Sequence, residues 1–238
     1  MNAHEHFRFS FLLLCLVACQ SESNAPSVIV PEGAVAPFAI DDGGYVRSGR
    51  IHGYARTWGS DGTLITPAEF LTVVAGSQLC AAGTLPADPT YRRVAQLGFK
   101  VNQEQQGPDT LANTIALSGN GIRVSVTNRG KSPLRVALSG ANAESDGHDW
   151  WCAALPSDSA VIPWSAFNSA CWDGSGAPYA GQPLREVAIV VPSSQGLPVS
   201  FDFCLDDLAD ASATDATPET IDQFIKRTIA HARMPGDR

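Results

Sequence analysis

The chain has 238 residues, of which 44% are hydrophobic and 17% are charged, and its formal net charge is −8 at pH 7. That length and apolar content suffice for one substantial core with flanking extensions. The negative charge argues against a nucleic acid or an anionic membrane face as the binding partner.

The N-terminus has the pattern of an export signal. A weakly basic start, MNAHEHFR, precedes the apolar run FSFLLLCLVA. This run is about half as long as a membrane-spanning helix, which needs roughly 20 residues. Residues 16–19, LVAC, resemble the lipobox of bacterial lipoproteins, which implies a signal peptide over 1–18 and a lipid on Cys19. Gln20 follows the cysteine, which favours the outer membrane or cell surface, and the lipid would anchor the chain without a membrane-spanning segment. An ordinary signal peptide ending near a cysteine is the alternative.

The cysteines predict two disulfides. Cys15 leaves with the signal peptide and Cys19 carries the lipid, so four remain: Cys80, Cys152, Cys171 and Cys204. Four cysteines in an exported chain imply two disulfides, with three possible pairings. We expect a local Cys152–Cys171 link and a long-range Cys80–Cys204 link between early and late strands. The absence of a CxxC motif argues against a zinc ribbon or a thioredoxin-like redox site.

Between a flexible tether over residues 19–37 and a tail over 209–238, the pattern is that of β-strands. The stretch VAQLGFKVNQ alternates strictly between apolar and polar or small residues. IRVSVTNRGKSPLRVALSG has the pattern of a hairpin, with NRGK as its turn. LREVAIVVPS is apolar on both faces and predicts a central strand, and SFDFCLDDL closes the domain. The sequence therefore predicts an all-β, antiparallel β-sandwich over residues 38–208.

The tail predicts a linker followed by an amphipathic C-terminal helix. In TPETIDQFIKRTIAHAR, Thr217 is the expected N-cap and Pro218 the first helical residue. Apolar residues recur at helical spacing along one side. The helix either docks on the sandwich or is a partner-binding or unfolded appendage.

Aromatic residues give the main indication of a binding site. Residues 149–174 carry four of the five tryptophans and two cysteines. Trp and Tyr rings have apolar faces that stack on sugar rings, and flanking polar side chains bind hydroxyl groups. Of Trp150 and Trp151 only one should point outward in an extended chain, and Trp164 is expected on a core strand. Packing in the core is the alternative for the whole group. The candidate ligand-binding residues are Trp58, Asp146, His148, Asp149, Trp151, Trp172, Asp173 and Tyr179.

Acidic pairs at two strand ends suggest a structural calcium ion. Asp206 and Asp207 end the last predicted strand, and Asp41 and Asp42 lie in the N-terminal segment. Calcium prefers six to eight oxygen ligands, which carboxylates supply. Solvation of the strand ends is the alternative, and no other cofactor is expected.

Catalytic motifs are sparse. The chain has neither a GxSxG nor an HExxH motif, and the GKS at residues 130–132 lacks the upstream glycine of a phosphate-binding loop because Ser125 stands there. A triad built on His148 has no specific support, since Ser and Asp are common here. Loop carboxylates remain the catalytic alternative. Asp146 with Asp149, or Asp202, would serve a glycoside hydrolase or lyase.

Residues 71–208 resemble the jelly-roll, galactose-binding-like domains used as carbohydrate-binding modules. The resemblance rests on VIPWSAF, on the closing SFDFCLDDL and on the layout WC…PWSAFN…CWDG…FDFC. It implies non-catalytic polysaccharide binding by a surface lipoprotein. Such modules usually accompany a catalytic domain, and we expect none in this sequence. A structural or protein-interacting envelope lipoprotein, with the C-terminal helix meeting a protein partner, is the other alternative.

Overall fold

The computed structural model describes residues 37–143 and 149–211. Several expectations lie outside these residues and stay predictions. They concern the signal peptide, the lipid on Cys19, the tether to residue 36, the loop over 144–148 and the C-terminal helix.

The described chain forms two antiparallel sheets, which confirms the predicted all-β sandwich. The seven-stranded sheet has the order β1-β2-β3-β6-β11-β8-β9, and the five-stranded sheet has the order β10-β7-β12-β5-β4. In the described ranges the helical segments are single 3₁₀ turns, and no helix is long and apolar enough to cross a membrane. The strands are β1 Ala39–Asp41, β2 Tyr45–Ser48, β3 Ile51–Gly59, β4 Leu64–Thr66, β5 Leu79–Leu85, β6 Val94–Lys100, β7 Gly121–Asn128, β8 Arg135–Gly140, β9 Trp150–Ala154, β10 Ser159–Pro163, β11 Leu184–Pro192 and β12 Val199–Ala211.

Alternation along each strand places one set of side chains in the core between the sheets. In β6, Ala95, Leu97 and Phe99 are fully buried in this core, as their shared parity predicts. In β12, Phe201, Phe203 and Leu205 do the same from the other sheet. The opposite parity of β6 therefore belongs to the outer face of the seven-stranded sheet.

The predicted hairpin over IRVSVTNRGKSPLRVALSG is wrong. Its two arms, β7 and β8, belong to different sheets, so the NRGK segment lies in a connection from one sheet to the other. The inward residues are nevertheless those expected. Strands that share one core have the same apolar pattern whether they pair side by side or stack face to face. The buried residues are Ile122, Val124, Val126, Leu134, Val136 and Leu138.

Trp164 lies beyond the end of β10, which corrects its predicted place on a strand. The strand ends at Pro163, which has no N–H to donate to a ladder. A 3₁₀ turn over Trp164–Ala166 follows. The Trp164 ring is partly buried against the core, and its Nε1 donates to the Gly119 carbonyl oxygen at 3.0 Å.

Both predicted disulfides are present. Cys80 and Cys204 lie directly opposite each other on β5 and β12. Because β12 is the middle strand of its sheet, this link lies within the sheet and away from its edges. The second disulfide joins Cys152 on β9 to Cys171 in the connection between β10 and β11. Two disulfides indicate an extracytoplasmic protein.

Candidate functional site

The outer face of the seven-stranded sheet bears a cleft of about 880 Å³. That volume lies within the range of small-molecule binding sites. Strands β3, β6, β8, β9 and β11 contribute side chains to it, and the connections that follow β5, β8 and β10 add residues at its rim.

A row of small residues runs across the sheet beneath this cleft. Gly98, Ala188, Ala137 and Cys152 occupy neighbouring positions on four successive strands. Ala137, Ala188 and Val190 form a small buried cluster, and Trp150 and Val94 pack against this cluster. Small side chains in the row let larger neighbours lie close to the sheet. A Cβ on Gly98 would come within 2.7 Å of a Glu186 carboxylate oxygen, so a larger residue there would displace that side chain.

Four aromatic rings line the cleft. Trp58 is 50% exposed at the end of β3, and Tyr91 is 52% exposed in the connection before β6. Trp150 is partly buried on β9. Trp172, 59% exposed, follows directly after Cys171, so the disulfide to β9 holds its backbone beside the cleft. Trp58 and Trp172, two of the aromatic residues named from the sequence, thus line one cleft.

Trp151 and Tyr179 do not face this cleft, which corrects their assignment as ligand-binding residues. They are only 4% and 7% exposed, and their rings meet edge to face with centroids 5.2 Å apart. The Tyr179 hydroxyl donates to the Gln182 carbonyl oxygen at 2.7 Å. Burial raises the pKa of Tyr179 to about 12. Both rings belong to the core between the sheets.

A buried carboxylate lies on the floor of the cleft. Glu186 is 4% exposed, and its Oε2 lies 2.7 Å from Arg56 Nη2 and 3.0 Å from Lys100 Nζ. Strand β11 has an irregular register between Leu184 and Glu186. This bulge lets the consecutive residues Arg185 and Glu186 both line the cleft, although regular pleating would send them to opposite faces.

Three further arginines line the cleft: Arg92, Arg135 and Arg185. Burial lowers the pKa of the Arg135 guanidinium, because a desolvated environment disfavours the charged form. The Arg185 Nε is buried and has no hydrogen-bond partner among the described residues. The described part of the cleft therefore holds cationic groups whose interactions within the protein are incomplete.

The predicted polar residues Asp149 and Asp173 shape the adjoining loops. Asp149 Oδ2 accepts from the Asn142 backbone N–H at 3.2 Å and from its Nδ2 at 3.0 Å. Asp173 Oδ1 accepts from the Ser175 N–H and hydroxyl, and these bonds lower the pKa of Asp173. Neither aspartate is among the described residues that line the cleft. Asp146 and His148 lie outside the described residues.

The predicted calcium site is not formed by the four proposed aspartates. Each of them has a donor from the protein itself: Arg47 for Asp41, the Ala75 N–H for Asp42, Gln78 and Thr127 for Asp206, and Arg123 for Asp207. Among residues 37–143 and 149–211, no three His, Cys, Asp or Glu side chains are grouped to hold a metal ion.

In the described residues, the cleft contains no pair of carboxylates of the kind that a glycoside hydrolase would need. Glu186 is the one acidic residue among the described lining residues of the cleft. Asp202 lies on β12 of the other sheet, with an oxygen 3.7 Å from Arg129 Nη1. Glycoside hydrolysis ordinarily uses two carboxyl groups flanking the scissile bond.

Sequence reasoning missed most of the cleft's polar residues. The strict alternation of β6 already assigns Gln96, Gly98 and Lys100 to one outward face, and that parity was the available signal. The positions of Arg185 and Glu186 depend on a bulge that has no sequence signature here. Arg56 and Arg135 approach them only through sheet pairing between distant strands.

Comparison of the chain with protein-family models, with curated proteins and with solved structures gives no match.

Proposed function

We propose that the protein binds a glycan in the cleft of the seven-stranded sheet, without catalysing a reaction on it. The observation that carries this proposal is the convergence of Trp58, Tyr91, Trp150 and Trp172 on one concave surface. Exposed aromatic rings are costly to leave in water, and a sugar ring offers them an apolar face while keeping its hydroxyls for polar partners.

The polar residues of the cleft suit hydroxyl recognition. Gln96 and Ser139 line the same cavity on β6 and β8, and the Gln96 Nε2 lies 3.5 Å from Glu186 Oε1. Both residues project from the sheet, which fixes their spacing more tightly than a loop would. Rigid placement of donors and acceptors reduces the conformational entropy lost on binding.

The cellular setting is part of this proposal. We infer that the chain is a lipoprotein anchored through Cys19 at the outer membrane or cell surface, with a jelly-roll domain of the carbohydrate-binding type. Its two disulfides and the LVAC motif support this placement. The ligand would then be a polysaccharide met outside the cytoplasm. A loop-carboxylate hydrolase and a protein-interacting lipoprotein remain the alternative predictions.

Isothermal titration calorimetry of the mature protein with a panel of oligosaccharides tests the proposal. We expect at least one oligosaccharide to bind, and Trp58→Ala and Trp172→Ala to weaken that binding by about tenfold or more each. Leu197→Ala is the control, because Leu197 is also exposed and does not line the cleft. Binding that persists unchanged in both tryptophan variants, or no binding to any sugar, would refute the proposal.

A further inference from the structure

We propose that the glycan bound in this cleft carries anionic groups, carboxylates or sulfates, and that Arg135 and Arg185 bind them. This inference rests on the proposed glycan-binding function and names the class of ligand. It concerns an oligosaccharide longer than one sugar unit.

The charge of the cleft is opposite to that of the chain. Its described lining includes five cationic residues and one acid, whereas the whole chain has a formal net charge of −8. The cationic residues are Arg56, Arg92, Lys100, Arg135 and Arg185. Charge of one sign collected in a cleft concentrates ligands of the other sign there.

Among the described residues, the cations that form ion pairs with Glu186 are Arg56 and Lys100. Its carboxylate lies within 3.0 Å of both. Arg135 and Arg185 make no ion pair with any described carboxylate, although burial already disfavours the charge of Arg135. A partly buried guanidinium without an anion keeps part of its desolvation cost, and an anionic oxygen of the ligand would offset that cost.

The buried Arg185 Nε gives a second, independent indication. It has no hydrogen-bond partner in the described structure, and buried donors in native proteins are nearly always paired. Arginine forms paired, parallel hydrogen bonds to carboxylate and similar oxyanions, which are stronger than bonds between neutral groups. A carboxylate or sulfate of the ligand would supply the acceptor that the Arg185 Nε lacks in the described structure.

The register of the sheet gives the separation between Trp58 and Arg135 across the cleft. Trp58 pairs with Gln96, Gln96 with Val190, and Val190 with Arg135. Trp58 and Arg135 are therefore three strands apart, ~14 Å at the usual spacing between strands. This backbone separation suits an oligosaccharide lying across the strands, with one sugar unit stacked on Trp58 and an anionic group of another unit at Arg135.

Nucleic acid also combines negative charge with stacking bases, and the observations favour the glycan over it. A nucleic acid carries a phosphate at every unit and extends beyond the cleft over a chain of net charge −8. The five cationic residues of the lining lie in one cleft of an extracytoplasmic protein, so they would contact the anionic groups of a ligand only where it passes through that cleft.

Calorimetry with four probes tests the inference. The probes are a hexamer of uronic acid, a sulfated hexasaccharide, a neutral hexasaccharide and a single-stranded DNA oligonucleotide. We expect the mature protein to bind the uronate or the sulfated probe at least tenfold more tightly than the neutral one, and less tightly as salt increases. Arg135→Gln and Arg185→Gln should each weaken binding of the anionic probe by about tenfold or more.

Arg129→Gln is the matched control, since Arg129 is exposed and its partner is Asp202 on the other sheet. The affinity of the Arg129→Gln variant for the anionic probe should equal that of the unmodified protein. Binding of the neutral hexasaccharide as tightly as the anionic ones, unaffected by the arginine variants, would overturn the anionic inference and leave the glycan proposal standing. Preferred binding of DNA would overturn the inference too. A failure to bind any saccharide would refute the glycan proposal itself.

Discussion

Trp150 and Trp151 are consecutive on β9, yet they lie on opposite faces of the seven-stranded sheet. Trp150 lines the outer cleft and packs against the cluster of Ala137, Ala188 and Val190, whereas Trp151 is buried in the core against Tyr179. Strand geometry requires that neighbours diverge in this way. It follows that substituting the buried Trp151 should affect stability, whereas substituting an exposed ring of the cleft, such as Trp172, should affect binding.

We expect Trp151→Ala to lower the free energy of unfolding by about 3–5 kcal/mol, because it leaves a cavity in the core. Trp172→Ala should change it by less than about 0.5 kcal/mol, since that ring is mostly in solvent. Denaturant unfolding followed by circular dichroism measures both. Equal losses of stability in Trp151→Ala and Trp172→Ala would contradict the placement of Trp151 in the core and of Trp172 at the exposed rim of the cleft.

Replacing the buried acid should affect stability and binding differently. Glu186→Gln leaves Arg56 and Lys100 without this counter-charge, and we expect a loss of about 3 kcal/mol in the free energy of unfolding. The affinity for an anionic oligosaccharide should not fall, because the cleft becomes more positive. Thermal and chemical unfolding test the first effect, and calorimetry tests the second.

Asp202→Asn is the comparison for that experiment. Asp202 and Arg129 form an exposed pair 3.7 Å apart, which should contribute at most about 1 kcal/mol. A loss for Asp202→Asn as large as that for Glu186→Gln would show that burial of Glu186 is not the cause.

The raised pKa of Tyr179 predicts a loss of stability at alkaline pH. Its folded pKa of about 12 lies above the ordinary value of 10.0, so the folded state favours the neutral phenol. The stabilisation is fully present below pH 10 and is lost as the pH rises towards 12, to a total of ~3 kcal/mol. Unfolding measured across this range in the unmodified protein and in Tyr179→Phe isolates the effect. The difference between the two proteins should change with pH, and a constant difference would contradict the prediction.

The two disulfides should have separable roles. The double variant Cys152→Ser, Cys171→Ser should lose ~3 kcal/mol of stability, the value for a loop of this length, and should also bind oligosaccharide more weakly because Trp172 is released. The Cys80–Cys204 disulfide closes a longer loop, with a sequence separation of 124. The double variant Cys80→Ser, Cys204→Ser should therefore lose up to ~5 kcal/mol of stability without a change in affinity. Affinity is compared under conditions in which both variants are folded.

Strand identity and parity were predictable because they depend on local alternation. Ala95, Leu97 and Phe99 face the core as their spacing requires. The Cys80–Cys204 pairing, expected between an early and a late strand, is present. The sheet to which a strand belongs was not predictable in the same way. The error over β7 and β8 arises because a shared core imposes one pattern on both sheets.

Two of the residues that line the candidate cleft had been named from the sequence. Trp58 and Trp172 were identified because exposed aromatic residues in Gly-, Ser- and Asp-rich segments stand out by composition. Trp151 was chosen over Trp150 although alternation alone does not say which face is the core. The arginines were missed because their proximity depends on pairing between strands far apart in sequence, and on the bulge at Arg185.

Neither disulfide joins a strand of one sheet to a strand of the other. Cys80–Cys204 lies within the five-stranded sheet, and Cys152–Cys171 ties an edge strand to a loop. In the described residues, therefore, the two layers are held together by apolar contact and by the connections of the chain. High pressure and low temperature weaken such contact. With both disulfides formed, the protein should therefore still be destabilised by high pressure and by low temperature. The weakened contacts should be those between the two sheets.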